Sequence, residues 1–294
     1  EVNTKNELNL SEPLRGGSAS SFHYTLSKVR IGDSLISLPP LGVTAIVGGN
    51  NVGKSTLLRQ IIASLDGSRT AAASVDILRE MEVSRSGSLA DFAAWLFSNS
   101  TFKDSTYPSL DRFGDSILIN ALGQERSSSR LPLKGPNMVV KLSRPEERLS
   151  VTQFHKNRDE ITDAPTHPIH ALATDLTNSE ALSDYTNHIF GTTLIFDRLG
   201  NNHGYRVGEV AFESPPIDRV TNEYIDAIQA LPRLSDQGDG LRSAVGLLMT
   251  LLTMPHKIFL IDEPEAFLHP PQARALGRIV AKLARDRQIQ ILAA

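Results

Sequence analysis

The pattern of hydrophobic and polar positions in the first part of the chain predicts strands followed by a helix. Residues 22–29, 34–38 and 42–47 have strand-like patterns, and the last of these runs ends at a glycine. Residues 56–65 place leucine and isoleucine at helical spacing. The pattern therefore predicts a strand, a glycine-rich loop and a helix between residues 42 and 65.

The last part of the chain is equally regular. Residues 240–254 form an apolar run that predicts a buried helix, and residues 257–261 predict a buried parallel strand. Residues 272–285 predict an amphipathic helix and residues 288–294 another strand. Alternating strands and helices around a glycine loop predict an α/β core with a largely parallel sheet.

The middle of the chain has a weaker pattern. Residues 91–98 and 222–231 predict helices, and residues 193–197 and 205–212 predict a hairpin joined through residues 200–204. We therefore expect an α/β fold with a mostly parallel central sheet, an N-terminal antiparallel β element and an inserted mixed or helical subdomain. The predicted organisation comprises a flexible N-terminal arm (1–21) and a domain (22–294) with core segments 22–70 and 232–294 around an insert of about 71–231.

Composition narrows the classes of protein that the chain can represent. The chain has 294 residues, a 40% hydrophobic content and a formal net charge of −3, which argue for a globular protein without a strongly basic surface. It contains no cysteine, which excludes disulfides and thiolate–metal sites and favours the cytoplasm. The longest mostly apolar run, residues 244–254, is shorter than the roughly 20 residues of a membrane helix, so no membrane association is expected.

Residues 48–55 read Gly-Gly-Asn-Asn-Val-Gly-Lys-Ser and match the phosphate-binding P-loop pattern between a predicted strand and a predicted helix. Backbone amides of such a loop bind phosphate oxygens, and glycines allow the close approach. We expect Lys54 to reach the β- and γ-phosphates of ATP, and the Ser55 hydroxyl to ligate Mg²⁺. The predicted nucleotide-binding residues of this loop are Gly48, Asn50, Asn51, Val52, Gly53, Lys54, Ser55 and Thr56.

A pair of acidic residues follows the buried strand predicted near the end of the chain. A carboxylate at the carboxyl end of such a strand suits magnesium binding, which makes Asp262 the second predicted metal residue. Glu263 can orient or deprotonate the attacking water, so Glu263 and Lys54 are the predicted catalytic residues. The alternative is that the two acids are only the solvated start of a loop, and the P-loop earlier in the chain disfavours it. We expect Lys54 and the acidic pair to lie on neighbouring strand edges.

These motifs resemble those of a known class of ATPases. Residues 48–56, with Asn50 inside the loop, resemble the Walker A motif of ABC-type ATPases, the class that holds transporter nucleotide-binding domains and the RecF and SMC proteins. Residues 262–272 read Asp-Glu-Pro-Glu-Ala-Phe-Leu-His-Pro-Pro-Gln and resemble AAA-family ATPases related to OLD (overcoming lysogenization defect) proteins. The resemblance covers the two ends of the chain and hardly touches its middle.

The same resemblance implies a signature loop in residues 234–243, Leu-Ser-Asp-Gln-Gly-Asp-Gly-Leu-Arg-Ser, directly before the predicted apolar helix. In relatives this loop binds the γ-phosphate held by a second subunit, which implies a homodimer or higher oligomer of ATP-bridged heads. We place Gly238, Asp239 and Gly240 at the phosphate, with helix N-terminal amides as donors. A register that starts at Ser235 and a plain helix-capping turn are the alternatives.

Two parts of an ABC-type site are not located. The switch histidine would follow the strand that ends at Ala294, and His269 belongs instead to the Leu-His-Pro segment. Gln124 and Gln153 are weakly supported candidates for the Q-loop glutamine.

Three weaker features have plainer explanations. The basic face Arg274, Arg278, Lys282 and Arg285 could contact nucleic acid, but a solvated helix face explains it better. His167 and His170 have a spacing possible for metal ligands, although Pro168 argues for a loop. Trp95 is expected in the core.

The motifs and the resemblance together imply an ATPase that dimerises around ATP with Mg²⁺ and controls a DNA-directed process or an effector protein, a nuclease or toxin, in antiphage defence or DNA repair. One alternative is the ATPase part of an OLD-type nuclease whose Toprim domain lies outside this sequence. Another is an ATP-locked scaffold or sensor with slow turnover. A GTPase is disfavoured because no Asn-Lys-x-Asp motif occurs, and Glu263 with the Leu-His-Pro tail disfavours a small-molecule kinase.

Overall fold

A computed structural model describes residues 16–66, 76–103, 105–122, 131, 135–211 and 219–294. Most of the predicted N-terminal arm (residues 1–15), the Q-loop candidate Gln124 and the predicted strand end at Phe212 lie outside these ranges.

Strands and helices alternate through the described ranges. In chain order the strands are β1 (His23–Ile31), β2 (Ser34–Ser37), β3 (Gly42–Ala45), β4 (Leu78–Ser86), β5 (Thr101–Lys103), β6 (Ser109–Arg112), β7 (Asp115–Leu118), β8 (Val140–Ser143), β9 (His155–Lys156), β10 (Leu194–Asp197), β11 (Asn202–Val207), β12 (Ile258–Ile261) and β13 (Gln290–Ala293). The helices are α1 (Lys54–Asp66), α2 (Leu89–Ser98), α3 (Ile119–Leu122), α4 (Gly135–Val139), α5 (Pro145–Val151), α6 (Pro168–Leu172), α7 (Leu176–Phe190), α8 (Asn222–Ala230), α9 (Asp239–Thr253) and α10 (Pro270–Asp286).

The central sheet has the strand order β3-β13-β12-β8, and each neighbouring pair is parallel. All four residues of β12 are buried, which explains why its sequence is continuously apolar. The sheet confirms the predicted α/β fold with a mostly parallel core. It also places the carboxyl ends of all four strands at one edge, where ligands bind in open α/β sheets.

The N-terminal antiparallel element is confirmed as the sheet β2-β1-β4. The buried side chain of Gln290 joins this sheet to the central one: its Oε1 accepts from the Leu26 amide at 2.8 Å, and its Nε2 donates to the Leu26 carbonyl at 2.8 Å. Because both ends of the amide are satisfied, the polar side chain is stable in the core.

The region predicted as an insert, residues 71–231, is mixed but not separate from the core. Its strand β4 pairs with β1, and its strand β8 is an edge strand of the parallel sheet. The predicted boundaries of the insert, at residues 71 and 231, therefore cut through two sheets, because each sheet contains strands from inside and outside the insert. Within the region, the predicted hairpin forms as β10 and β11, but its second strand begins at Asn202 rather than Tyr205, with Asp197 opposite Gly204.

The helix α9 lies in the core, and Ser243 to Leu252 are all buried. At Gly246 the helix meets α5 so closely that a Cβ atom would lie 2.2 Å from the Arg148 carbonyl oxygen. Glycine at this position therefore sets the distance between α5 and α9.

We expect Gly246→Ala to destabilise the protein by about 1–3 kcal/mol, because the added methyl group forces the two helices apart. Gly277→Ala is the matched control. Gly277 lies inside α10, and apart from its chain neighbours and the adjacent backbone of its own helix no atom lies within 4 Å of the position that its Cβ would occupy, so alanine should be neutral or stabilising by up to about 1 kcal/mol. Urea unfolding of both variants checks the difference, and equal midpoints would contradict the packing argument.

Candidate functional site

The predicted P-loop connects β3 to α1 at the carboxyl edge of the central sheet. Two of its residues adopt left-handed backbone angles, Asn51 with φ 61° and Gly53 with φ 93°. A Cβ atom on Gly53 would lie 2.2 Å from Cδ1 of Ile77, so the site requires glycine for both backbone angle and space. Asparagine tolerates the left-handed region better than most residues.

Lys54 begins α1 and folds back over the loop. Its Nζ donates to the carbonyl oxygens of Gly48 at 3.0 Å and Gly49 at 2.9 Å. The ammonium therefore lies at the mouth of the loop, next to the amino end of α1, where a helix favours anions.

Ser55 and Asp262 are in direct contact. The Ser55 hydroxyl donates to Oδ1 of Asp262 at 2.8 Å, across 207 residues of sequence. The expectation of neighbouring strand edges is wrong, because β13 lies between β3 and β12. The loops that follow β3 and β12 nevertheless meet above the end of β13, and they bring the two side chains together.

Oxygen donors of this kind fit Mg²⁺. A hydroxyl and a carboxylate, completed by phosphate oxygens and water, form the set that magnesium accepts at nucleotide sites. The structure thus brings together the two side chains that the sequence analysis predicts as magnesium ligands.

Glu263 follows Asp262 with an unusual backbone conformation. Its φ of 47° is left-handed, which is uncommon for a residue other than glycine. Its amide donates to the Ala294 carbonyl at 2.7 Å, and its side chain is exposed. Strain of this kind persists only where surrounding contacts hold it, and it is frequent at functional sites.

The predicted signature loop caps the amino end of α9. Gly238 is the N-cap, and the Asp239 carboxylate accepts from Nη1 of Arg242 at 3.1 Å. A Cβ on Gly240 would lie 2.6 Å from the Phe267 carbonyl oxygen, so this loop packs against the segment after Glu263. Within the described part of the chain, no hydrogen bond joins residues 238–240 to the P-loop.

Arg148 was missed by the sequence analysis. It lies on α5, is 1% exposed, and donates to the carbonyl oxygens of Asp262 at 2.8 Å and Glu263 at 2.7 Å. Burial lowers its pKa, an effect opposed by the nearby carboxylates of Asp262, Glu146, Glu263 and Glu265. The apolar run before Ser143 and the proline with two glutamates after it indicate a strand and a helix start, but nothing in the sequence marks Arg148 itself.

The Q-loop candidate Gln153 gains no support, and His269 lies in the Leu-His-Pro segment to which the sequence analysis assigns it. Gln153 is exposed beyond the end of α5, where its amide donates to the Ser150 carbonyl. His269 is the N-cap of α10, and its amide donates to Oε1 of Gln272 at 3.3 Å.

The two histidines that were weighed as metal ligands, His167 and His170, form a ring cluster with His155. His155 stacks on His167 with centroids 4.3 Å apart and lies 5.1 Å from His170. Burial, then the neighbouring histidines, lowers the pKa of His167 to about 3, which keeps the ring neutral. Among the residues that the structure describes, no group of three or more histidine, aspartate or glutamate residues is arranged to hold a metal ion.

The remaining sequence features are placed as follows. Trp95 is buried, with its ring 5.3 Å from that of Phe22, which confirms its place in the core. Arg274, Arg278, Lys282 and Arg285 are exposed on α10, where Lys282 pairs with Asp286 at 2.7 Å. Within the described ranges, no helix has the length and apolar character needed to span a bilayer.

Comparisons with solved structures give low similarity over nearly the whole chain. An SMC head bound to the C-terminal winged-helix domain of ScpA is 14% identical, with 92% of this chain and 89% of that chain covered and a TM-score of 0.47. The SMC head domain from Thermotoga maritima is 12% identical, with the same coverages and a TM-score of 0.44. CbiO1 from Clostridium perfringens, part of the ABC transporter complex CbiONQ, is 14% identical, with 93% and 77% covered and a TM-score of 0.38.

No curated protein matches the sequence. The family of the chain follows from its sequence: residues 43–294 match one domain family, from β3 through the P-loop, β12 and the acidic pair to β13. The chain belongs to the P-loop ATPase family described as "AAA domain, putative AbiEii toxin, Type IV TA system".

Proposed function

We propose that this protein binds ATP with Mg²⁺ and hydrolyses it at the edge of the central sheet. The contact between Ser55 and Asp262 carries the proposal, because it joins the P-loop to the acidic strand at hydrogen-bonding distance. Bound Mg²⁺ would neutralise charge on the β- and γ-phosphates, and Ser55 and Asp262 would hold it.

The other residues of the site have separate roles in this proposal. Loop amides from Gly48 to Thr56 bind phosphate oxygens, and Lys54 exchanges its contacts with the Gly48 and Gly49 carbonyls for phosphate oxygens. Glu263 orients a water molecule and accepts its proton as that water attacks the γ-phosphate. Its exposed side chain next to Asp262 supports this role.

We also propose that two copies close around ATP, so that the signature loop of one copy binds the γ-phosphate held by the other. Two observations support this phosphate-binding role of the signature loop. Gly238 and Asp239 are exposed at the amino end of the 15-residue helix α9, and the Gly238 N-cap carries no side chain that would occupy the helix amides. Exposed Phe267, 56% accessible, lies next to this loop and would be covered in such a dimer.

Gly238→Asp tests the dimer. Aspartate is a better N-cap than glycine, and apart from the chain neighbours of Gly238 no atom lies within 4 Å of the Cβ position, so the monomer should keep its stability. The added carboxylate repels phosphate, so we expect ATP-dependent association, measured by light scattering, to weaken by at least about 10-fold while monomeric ATP binding remains. Gly238→Asn is the matched control: it caps equally well without charge and should associate much more tightly than the aspartate variant. Equal association of both variants would contradict the phosphate role of this loop.

The biological role proposed here is control of an effector, a nuclease or toxin, in defence against phage or in DNA repair. The family description, which refers to a toxin of a type IV toxin–antitoxin system, supports an effector-linked role. DNA is a further proposed partner, and the exposed arginines of α10 are where it would bind. The absence of cysteine supports a cytoplasmic location.

A slow ATP-locked scaffold is the second candidate. The hydrogen bonds from Lys54 to the loop carbonyls show that the loop is ordered around its own lysine, and a scaffold that holds ATP needs such a loop as much as an ATPase does. Measured turnover separates the two candidates, since a scaffold holds ATP without releasing phosphate.

A further inference from the structure

Arg148 holds the backbone on both sides of Glu263. The peptide group before Glu263 is fixed twice, by the bond from Nη1 of Arg148 to the Asp262 carbonyl at 2.8 Å and by the bond from the Glu263 amide to the Ala294 carbonyl at 2.7 Å. The peptide group after it is fixed by the bond from Nη2 of Arg148 to the Glu263 carbonyl at 2.7 Å. Its nitrogen belongs to Pro264 and has no hydrogen to donate. Both dihedral angles of Glu263 are therefore held by hydrogen bonds.

This arrangement explains how the left-handed backbone of Glu263 is maintained. A φ of 47° is unfavourable for a residue that carries a Cβ atom. If the backbone of Glu263 relaxed to a negative φ, its side chain would rotate away from its present direction. The planar guanidinium presents two donors in a fixed fork, which matches two successive carbonyl groups. A lysine ammonium at the same position cannot reproduce this geometry.

The same guanidinium also contacts α9. Its Nε donates at 3.0 Å to the buried hydroxyl of Ser243, the last residue of the signature loop and one helical turn after Gly240. Arg242, the preceding residue of α9, donates to the Leu149 carbonyl of α5 at 3.1 Å. With Gly246 packed on the Arg148 backbone, α5 and the first turns of α9 form one unit, and Arg148 connects that unit to Glu263.

We propose that Arg148 is a positioning residue, which sets the direction of the Glu263 carboxylate and links it to the signature end of α9. This inference rests on the proposed hydrolysis by Glu263. A purely structural role would affect stability alone. A positioning role affects turnover without affecting ATP binding, because the Arg148 hydrogen bonds involve neither the P-loop nor the Asp262 carboxylate; at Asp262 the acceptor is the backbone carbonyl.

Arg148→Lys tests the proposal through steady-state kinetics and hydrogen exchange. We expect kcat to fall by about 10- to 100-fold, the cost of a catalytic group displaced by about 1 Å, with KM and the ATP dissociation constant nearly unchanged. Exchange of the Glu263 amide, in a peptide that covers residues 258–268, should become faster. Arg112→Lys is the matched control for loss of a buried guanidinium: Arg112 is 2% exposed on β6 and contacts the Asn99 carbonyl and the Trp95 ring. It should lower stability and leave kcat and this exchange rate unchanged.

Ser243→Ala tests the link to α9 and replaces Arg148→Lys if that variant does not fold. It should lower kcat in the same direction but less, with KM unchanged. The proposal would be overturned if kcat and the exchange rate of the Glu263 amide were unchanged in Arg148→Lys. If Arg148→Lys does not fold, the same result in Ser243→Ala would overturn it. If wild-type protein releases no phosphate, the proposed hydrolysis has failed; faster exchange at Glu263 in Arg148→Lys would still support the positioning role, and unchanged exchange would overturn it.

Discussion

Glu263→Gln is expected to reduce ATP turnover by about 10²- to 10⁴-fold, the contribution of a general base, while ATP still binds. The amide of glutamine is nearly the same size as the carboxylate and still orients water, but it does not accept the proton. Phosphate release measures the loss of turnover. Because hydrolysis ends the ATP-bound state, the variant should also accumulate as a dimer in ATP and Mg²⁺, which light scattering detects.

The control for this prediction is Glu180→Gln, which removes the same charge from an exposed position on α7. It should behave as the wild type in all measurements. Wild-type turnover in Glu263→Gln would contradict the role of Glu263 as the base. If wild-type protein and variant bind ATP equally and neither releases phosphate, the slow scaffold is the better description of the protein.

Lys54→Ala is expected to weaken ATP binding by about 10²-fold. The ammonium offers charge-assisted hydrogen bonds to phosphate, each worth about 1.5–3 kcal/mol, and alanine leaves those oxygens without a cationic donor. Titration with a fluorescent ATP analogue in Mg²⁺ measures the dissociation constant. Thermal unfolding without nucleotide should change little, because the two bonds lost in the variant go to carbonyls of an exposed loop.

Lys28→Ala is a suitable control, since it removes an ammonium that pairs with Glu82 at 2.9 Å on the antiparallel sheet. Its ATP affinity should equal that of the wild type. Wild-type affinity in Lys54→Ala would contradict the phosphate-binding role of the loop, and the Ser55–Asp262 contact would then need another explanation.

The two ends of the chain could be predicted from sequence because their signals are local. The glycine pattern of the P-loop, the apolar residues of β12 and the helical spacing in α10 each depend on a short segment. The predicted ends of these elements lie within two residues of the observed ones: the helix predicted at 272–285 spans Pro270–Asp286, and the strand predicted at 257–261 spans Ile258–Ile261.

The middle of the chain was harder because its elements are short and their partners lie far away in sequence. The strand β8 has four residues and enters the parallel sheet only by pairing with β12, more than a hundred residues later. The 15-residue helix α7 was also missed; its buried residues include Leu182, Thr186 and Ile189, and only two of these are apolar. A weak apolar pattern of this kind gives little periodic signal.

The sequence by itself determined which residues are proposed for the site: a glycine loop with Lys54 and Ser55, and a carboxylate pair after a buried strand, because these motifs depend on residue type and local backbone. Only the tertiary structure decided how the parts meet. The placement of β13 between β3 and β12, the contact of Ser55 with Asp262, and the hydrogen bonds of Arg148 around Glu263 join segments more than a hundred residues apart. Their geometry depends on strand order and helix packing, which no local pattern contains.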